Sequence, residues 1–322
     1  MTQHTLLRFA SFIVLTLTST ALAYAAPQRT FVSAQTGNDA NTASNCSITQ
    51  PCRNFNAAVG VVNAGGEVVA LDSGGYGPTT ISKAVTLTSP LGVYAAITAL
   101  TAGSDAITVS AASGSGGDTV VLRGLTLTGL GGQNGINVTS VGNLHVEGCV
   151  VSGFTVYGIN VNLTAGGSHI FVKDTITRNN GDAGIYMTTS AGTVRASIDN
   201  CRSERNGTSG FWIAAKSRVT INRSVASGNG ERGFFVSSVV SGATSELSCE
   251  ECVSSNNDFG FDVYTFSGGI ATIRVSHSTA TNNTFYGFSQ ANSGVFESLG
   301  NNLVRGNPLA NTDGTITVVG AQ

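Results

Sequence analysis

The chain has 322 residues, of which 41% are hydrophobic, too many for a disordered protein. Only 11% are charged and the net charge is −2, which offers no basic surface for nucleic acid. A long helical fold would need more Leu, Glu, Lys and Ala, whereas the surplus of Gly, Ser, Thr, Asn and Val calls for many short strands joined by tight turns.

Residues 1–25 read as an export signal. A single cation, Arg8, precedes the apolar run FASFIVLTLTSTAL, and ALAYAAP supplies small residues for cleavage after Ala23 or Ala25. The run is shorter than the roughly 20 residues of a membrane span, and no other stretch approaches that length. The mature chain is therefore expected to have no transmembrane segment, with 15 basic against 18 acidic residues. The short signal is of a bacterial kind, so the expected location is secreted, periplasmic or at the cell surface. Six cysteines fit an oxidising compartment.

Residues 26–66 read as an N-terminal cap. In PCRNFNAAVGVVNAGG, Phe55, Ala58, Val59 and Val62 fall at helical spacing, with Pro51 early and Gly65-Gly66 as the stop. This short helix is expected to plug the first turn of a solenoid, pinned by a disulfide between Cys46 and Cys52. Residues 67–322 form the solenoid itself. Its first part, 67–130, is irregular, and TITVVGAQ makes a last strand with little after it.

From Gly135 onward a repeat governs the sequence. Gly-apolar-x-apolar recurs at Gly135, Gly158, Gly184, Gly210, Gly233, Gly260 and Gly287, at intervals of 23, 26, 26, 23, 27 and 27 residues. A second strand lies between successive glycines: LHVEGC, IFVKDT, ASIDNC, VTINRS, LSCEEC and IRVSHS. Eight residues beyond its central apolar position stand Asn180, Asn206, Asn229, Asn257, Asn283 and Asn307. An asparagine tolerates left-handed backbone angles and can both donate and accept, so this column can stack as a hydrogen-bonded ladder.

Each repeat is thus one coil, with equivalent residues stacked at the roughly 4.8 Å spacing of paired strands. Alternation within the strands points Ile136, Ile159, Ile185, Phe211, Phe234, Phe261 and Phe288 inward, beside Val138, Val161, Met187, Ile213, Val236 and Val263. Val146, Val172, Ile198, Ile221, Cys249 and Val275 form the inward column of the second strand. Leucine-rich repeats would show a Leu/Asn consensus and a propeller blade would need about 40 residues. The fold class is all-β, a right-handed parallel β-helix with a short N-terminal capping helix.

The Gly-Ile/Phe and Asn columns, together with the opening FVSAQTGNDAN…QPCRNFNAAV…GGEVVALDSGGY, resemble secreted bacterial β-helix proteins of the pectate-lyase-like superfamily. That resemblance spans the whole mature chain and implies the fold. The superfamily includes polysaccharide lyases, glycoside hydrolases and adhesins, so it implies no single activity. A lyase of this kind would combine a charge neutraliser, often Ca²⁺ on several carboxylates, with an Arg or Lys base. A hydrolase needs two carboxyls roughly 5–10 Å apart. The outward columns show neither arrangement, no cofactor is expected otherwise, and no metal-ligand set is evident.

Two surfaces remain as candidates. Tyr186, Trp212 and Phe235 occupy one outward position on consecutive coils and are expected to form an exposed aromatic strip of the sort that stacks on sugars. His169, Arg195 and Arg218, with Lys173 nearby, make a cationic patch that could hold the carboxylates of an acidic polysaccharide. Glu147, Lys173 and Asp199 are expected to pair along one column, and Arg223 with Glu251 along the next, each worth about 0.2–1 kcal/mol. Cys249 and Cys252 are expected to form a local disulfide or two buried thiols, and Cys149 and Cys201 lie too far apart to bridge. The function expected is binding of a polysaccharide or surface glycan. The alternative is a carbohydrate-active enzyme, lyase or hydrolase, using the patch as a subsite for an acidic polysaccharide.

Overall fold

The structure, a computed structural model, describes residues 27–114 and 116–320; the export signal expected at 1–25 lies outside them. The chain winds as a right-handed parallel β-helix that gives strands to three sheets. Sheet I has twelve strands, from Arg29–Val32 to Ile316–Val318. Sheet II has ten, from Gly74–Gly75 to Leu303–Arg305, and sheet III has ten, from Thr79–Ile81 to Ala310–Asp313. One coil runs from Asn143–Glu147 in sheet I through Val150–Ser152 in sheet II to Ile159–Leu163 in sheet III.

The inward columns are in the register that the repeat dictates. Ile136 pairs with Ile159, Ile159 with Ile185, Ile185 with Phe211, and so on to Phe288. The column from Val146 to Val275 extends upstream through Leu122 and Leu87 to Val68. The strip of Phe rings is a true stack: Phe211, Phe234 and Phe261 lie 5.0 and 4.8 Å apart and nearly parallel. A parallel sheet with one face buried this way is sealed coil by coil.

Sheet II is the element that the repeat alone did not reveal, since two strands per coil were expected. Its strands are about three residues long, and their inward middle residues include Thr177, Ser203, Ala226, Ser254 and Ala280. Three residues with a small or hydroxyl side chain in the middle leave no apolar alternation to read. The buried hydroxyls bond locally: Thr177 Oγ1 donates to Ser203 Oγ at 3.0 Å, and Ser203 Oγ to the Gly210 carbonyl at 2.8 Å.

Sheet II is entered and left through single residues at positive φ. The entry column is Gly124, Gly148, Asp174, Asn200, Arg223, Glu251 and His277. The exit column is Gly153, Asn179, Arg205, Gly228, Asn256, Asn282 and Gly306. The left-handed residue at the second corner therefore precedes the ladder asparagine, correcting the expectation that the ladder residue itself bends. Free of that duty, each ladder side chain faces inward and is almost fully buried. Asn206 Nδ2 donates to Asn229 Oδ1 at 3.0 Å, and Asn206 Oδ1 accepts from Asn180 Nδ2 at 2.9 Å and from the Asn180 backbone at 3.2 Å. The pattern continues to Asn307. It also explains the repeating glycine. A Cβ on Gly233 would stand 2.0 Å from Ser254 Oγ and 2.9 Å from the Asn257 amide nitrogen.

The small-residue column after the first corner has one task. Cys149, Thr175, Cys201, Ser224, Cys252 and Ser278 each donate to the carbonyl two residues back, as a second donor beside the backbone N–H of the neighbouring coil. Thiol and hydroxyl are interchangeable there. This settles Cys249 and Cys252, which are free buried thiols and not a disulfide. Cys249 points into the core from its strand, whereas Cys252 follows the left-handed corner at Glu251 and bonds to the Ile221 and Glu250 carbonyls. Burial pushes the Cys149 thiol up to about 11 and that of Cys201 to about 12, so both stay protonated.

At the N-terminal end, the helix Phe55–Val61 buries Phe55, Ala58 and Val59, with Val62 at its cap, and Phe55 packs 5.1 Å from the Tyr76 ring. Asp39 anchors the approach by accepting from the backbone of Arg53 and Asn54 at 2.7 and 2.9 Å. The expected disulfide joins Cys46 and Cys52, with Cα atoms 4.9 Å apart. Replacing both cysteines by Ala is expected to lower stability by about 2 kcal/mol, because the loop is short. Urea denaturation of the double variant checks this. No helix of the described residues is long and apolar enough to cross a membrane.

Candidate functional site

Sheet III presents the aromatic strip outward. Register places Asn137, Asn160, Tyr186, Trp212, Phe235, Asp262 and Ser289 in one column. Tyr186 and Trp212 are half-buried, with rings 4.9 Å apart and edge-on. Trp212 Nε1 donates to Ser237 Oγ at 2.9 Å, which fixes the indole over the next coil, 5.7 Å from Phe235.

Phe235 departs from expectation: it is only 6% exposed. The Arg232 guanidinium lies over its face at 4.3 Å. Arg232 is itself held by Glu231 and by Asp262, whose Oδ2 is 2.7 Å from Arg232 Nε. Phe235 therefore buttresses the strip, and of the three expected rings Tyr186 and Trp212 remain to face a ligand.

Tyr157 replaces it at the other end. It stacks on Tyr186 at 4.8 Å with planes 9° apart, reaching across from the turn before Gly158. The outward column does not include it, so spacing alone could not find it. Small residues at the equivalent place on the next coils, Ala183 and Ser209, leave the space beside Tyr186 and Trp212. Asp182 lies beside both phenols. Burial foremost, and then this carboxylate, hold the Tyr157 hydroxyl above its usual range, and burial foremost does the same for Tyr186. Asp182 also accepts from Thr208 Oγ1. Further along, Trp212, Arg232, Phe235, Ser237, Val239 and Tyr264 line a shallow hollow of about 250 Å³.

The cationic patch stands on a different sheet. His169, Arg195 and Arg218 are register neighbours on the outer face of sheet I, with Lys173 at the other end of its strand. Arg195, Arg218 and Glu246 border a hollow of about 260 Å³. Phe171, 38% exposed, stands between His169 and Lys173 and stacks on His145 at 4.7 Å.

The acids nearby are engaged, though not as expected. Lys173 is in register with Glu147 and Asp199, yet Glu147 pairs with Arg123 at 2.8 Å and Asp199 with Arg223. Arg223 reaches back to Asp199 and not forward to Glu251. The longer, forked guanidinium outcompetes the lysine for each carboxylate. Glu246 bridges Arg218 at 3.3 Å and Arg274 at 3.5 Å. Among the described residues, His169, Lys173 and Arg195 have no ion pair, and no carboxylates converge beside them. Tyr186 and Trp212 on sheet III do not share a cleft with this patch.

A surface hollow of about 480 Å³ lies on sheet II between Arg178, Glu204, Arg205 and Asn256, and no aromatic residue lines it.

Residues 134–308 match the family described as the right handed beta helix region, more than half of the chain. The chain belongs to the right-handed β-helix family. No curated protein matches this β-helix by sequence. Among solved structures it is similar to a rhamnogalacturonan lyase, at 15% identity and TM-score 0.55, over 84% of this chain and 72% of that one. It also resembles pectate lyase Pel9A, at 15% identity and TM-score 0.49, over 91% and 77% of the two chains. The A-module of Azotobacter vinelandii mannuronan C-5 epimerase AlgE4 follows at 13% identity and TM-score 0.44, over 80% and 91%. At these identities the likeness is one of fold.

Proposed function

We propose that this β-helix is an exported protein that binds a glycan along the aromatic strip of sheet III. The observation that carries this reading is the run of rings Tyr157, Tyr186 and Trp212, braced by Phe235 on the coil beyond. Rings on neighbouring coils make an apolar strip along which a glycan chain can lie. Aromatic faces bury the apolar side of a sugar while its hydroxyls stay in water. One solved structure that shares the scaffold is named a rhamnogalacturonan lyase, which shows that such a coil can serve a protein that handles polysaccharide.

Binding is favoured over catalysis by the state of the carboxylates. Glu147, Asp199 and Glu246, the acids beside the cationic patch, each engage an arginine. An acid–base pair aimed at a glycosidic bond needs carboxyls free to exchange protons.

The test is calorimetry of the mature protein against neutral, amino and acidic oligosaccharides, with and without Ca²⁺. Trp212→Ala is expected to weaken binding by about 2 kcal/mol, roughly thirtyfold in Kd. Ultraviolet absorbance of unsaturated sugar in the same mixtures would instead reveal a lyase.

A further inference from the structure

Building on that reading, we infer that the strip takes a glycan bearing protonated amines, and not an acidic one. The ten strands of sheet III contain one cation, Arg232, and it is already shared by Glu231 and Asp262. The turns that lead into those strands add Asp105, Asp182 and Asp258 against one cation, Arg205, which borders the hollow on sheet II, and of these acids Asp182 is the one beside the rings. Asp182 stands beside the Tyr157 and Tyr186 rings, and its partners are neutral hydroxyls.

Several of the donors a uronate would need are already used. Asn134 and Asn137 each give an amide N–H to Asp105 at 2.7 Å, and Trp212 gives its N–H to Ser237. The one side-chain atom of the column that is buried without a partner, Asn160 Oδ1, is an acceptor. It lies in register with Tyr186.

The rings carry the same preference by independent physics. An aromatic face is negative and attracts a cation, most strongly at Trp and Tyr. An amine beside Tyr186 would meet its ring and the Asp182 carboxylate together. A carboxylate placed there would meet the repulsion of the ring faces and of Asp182, with neutral hydroxyl and amide donors alone to offset its lost hydration. The charged face that suits an acidic ligand is the one around His169, Lys173 and Arg195, on sheet I.

Three hexasaccharides decide it: glucosamine, its N-acetylated counterpart and galacturonate, measured by calorimetry at a pH where the sugar amine is protonated. The glucosamine oligomer is expected to bind at least tenfold more tightly than the N-acetylated one, with a preference that shrinks as salt is added. Asp182→Asn, which keeps the shape and the Thr208 contact, is expected to cut that preference at least threefold without lowering the melting temperature. Equal affinity for the two oligomers, or an Asp182→Asn variant that keeps the full preference, overturns the inference and leaves the strip as a site for neutral glycan. Tighter binding of galacturonate that survives Trp212→Ala overturns both the inference and the strip, and moves the site to sheet I.

Discussion

Phe234→Ala is expected to destabilise the protein by about 4 kcal/mol, the largest effect of any single truncation in the core. Its ring is fully buried and sandwiched between Phe211 at 5.0 Å and Phe261 at 4.8 Å, with planes 4° and 8° from parallel. Neighbouring coils are held in register by hydrogen bonds, so they cannot collapse into the cavity, and the stacking on both sides is lost with the transfer free energy. In a solenoid each coil is stabilised by its two neighbours, so a weak coil in the middle also divides the cooperative unit. Urea unfolding followed by circular dichroism is expected to show a lower midpoint and a broadened or two-step transition. Phe234→Leu is expected to lose far less and to keep a single step. A Phe234→Ala midpoint equal to that of the parent protein would mean that the Phe stack is not a continuous core.

Asn206→Ala is expected to be nearly as damaging, at about 3–4 kcal/mol, although it removes few apolar contacts. The side chain accepts from the backbone and the amide of Asn180 and donates to Asn229, all within the buried interior. Truncation strands two donors on Asn180 where water does not reach, each costing about 1–3 kcal/mol, while Asn229 Oδ1 keeps the backbone N–H of residue 206. Asn206→Asp is the informative companion. It keeps the acceptor toward Asn180 but loses the donor toward Asn229, and it buries a charge. Its loss is expected to diminish as pH falls and the carboxyl becomes protonated, because only the neutral acid can donate. Melting temperatures of both variants across an acidic pH series check this. By contrast, exposed pairs such as Arg202 with Glu204 contribute about 0–1 kcal/mol.

Much of this architecture could be read before any coordinate. The columns through Phe211 and Val172 are in register because position-for-position repetition and core burial are the same fact in a solenoid. The capping helix and the Cys46–Cys52 bridge followed from local spacing. What stayed hidden had small or distant causes. Sheet II has strands too short for a period, and its Thr177 and Ser203 look like turn residues until their hydroxyls are seen to bond inward. The left-handed corner sits one residue before the ladder asparagine because Arg205 and Gly228 can take it as well as Asn179 or Asn256.

The site was half legible for similar reasons. Outward alternation identified Tyr186 and Trp212, but burial of Phe235 depends on where Arg232 swings. Tyr157 joins by leaning across coils from a turn, a geometry that strand alternation does not encode. Charge pairing on sheet I failed at Lys173 because register gives adjacency, while the reach and fork of Arg123 and Arg223 decide which cation takes the acid.

Trp212 is the protein's one tryptophan, so its fluorescence reports the strip alone. Titration of the mature protein with the oligosaccharide that binds by calorimetry is predicted to shift or quench that emission, saturating at the same concentration as the heat. Saturable binding that leaves Trp212 emission unchanged would place the ligand elsewhere on the coil and contradict the account.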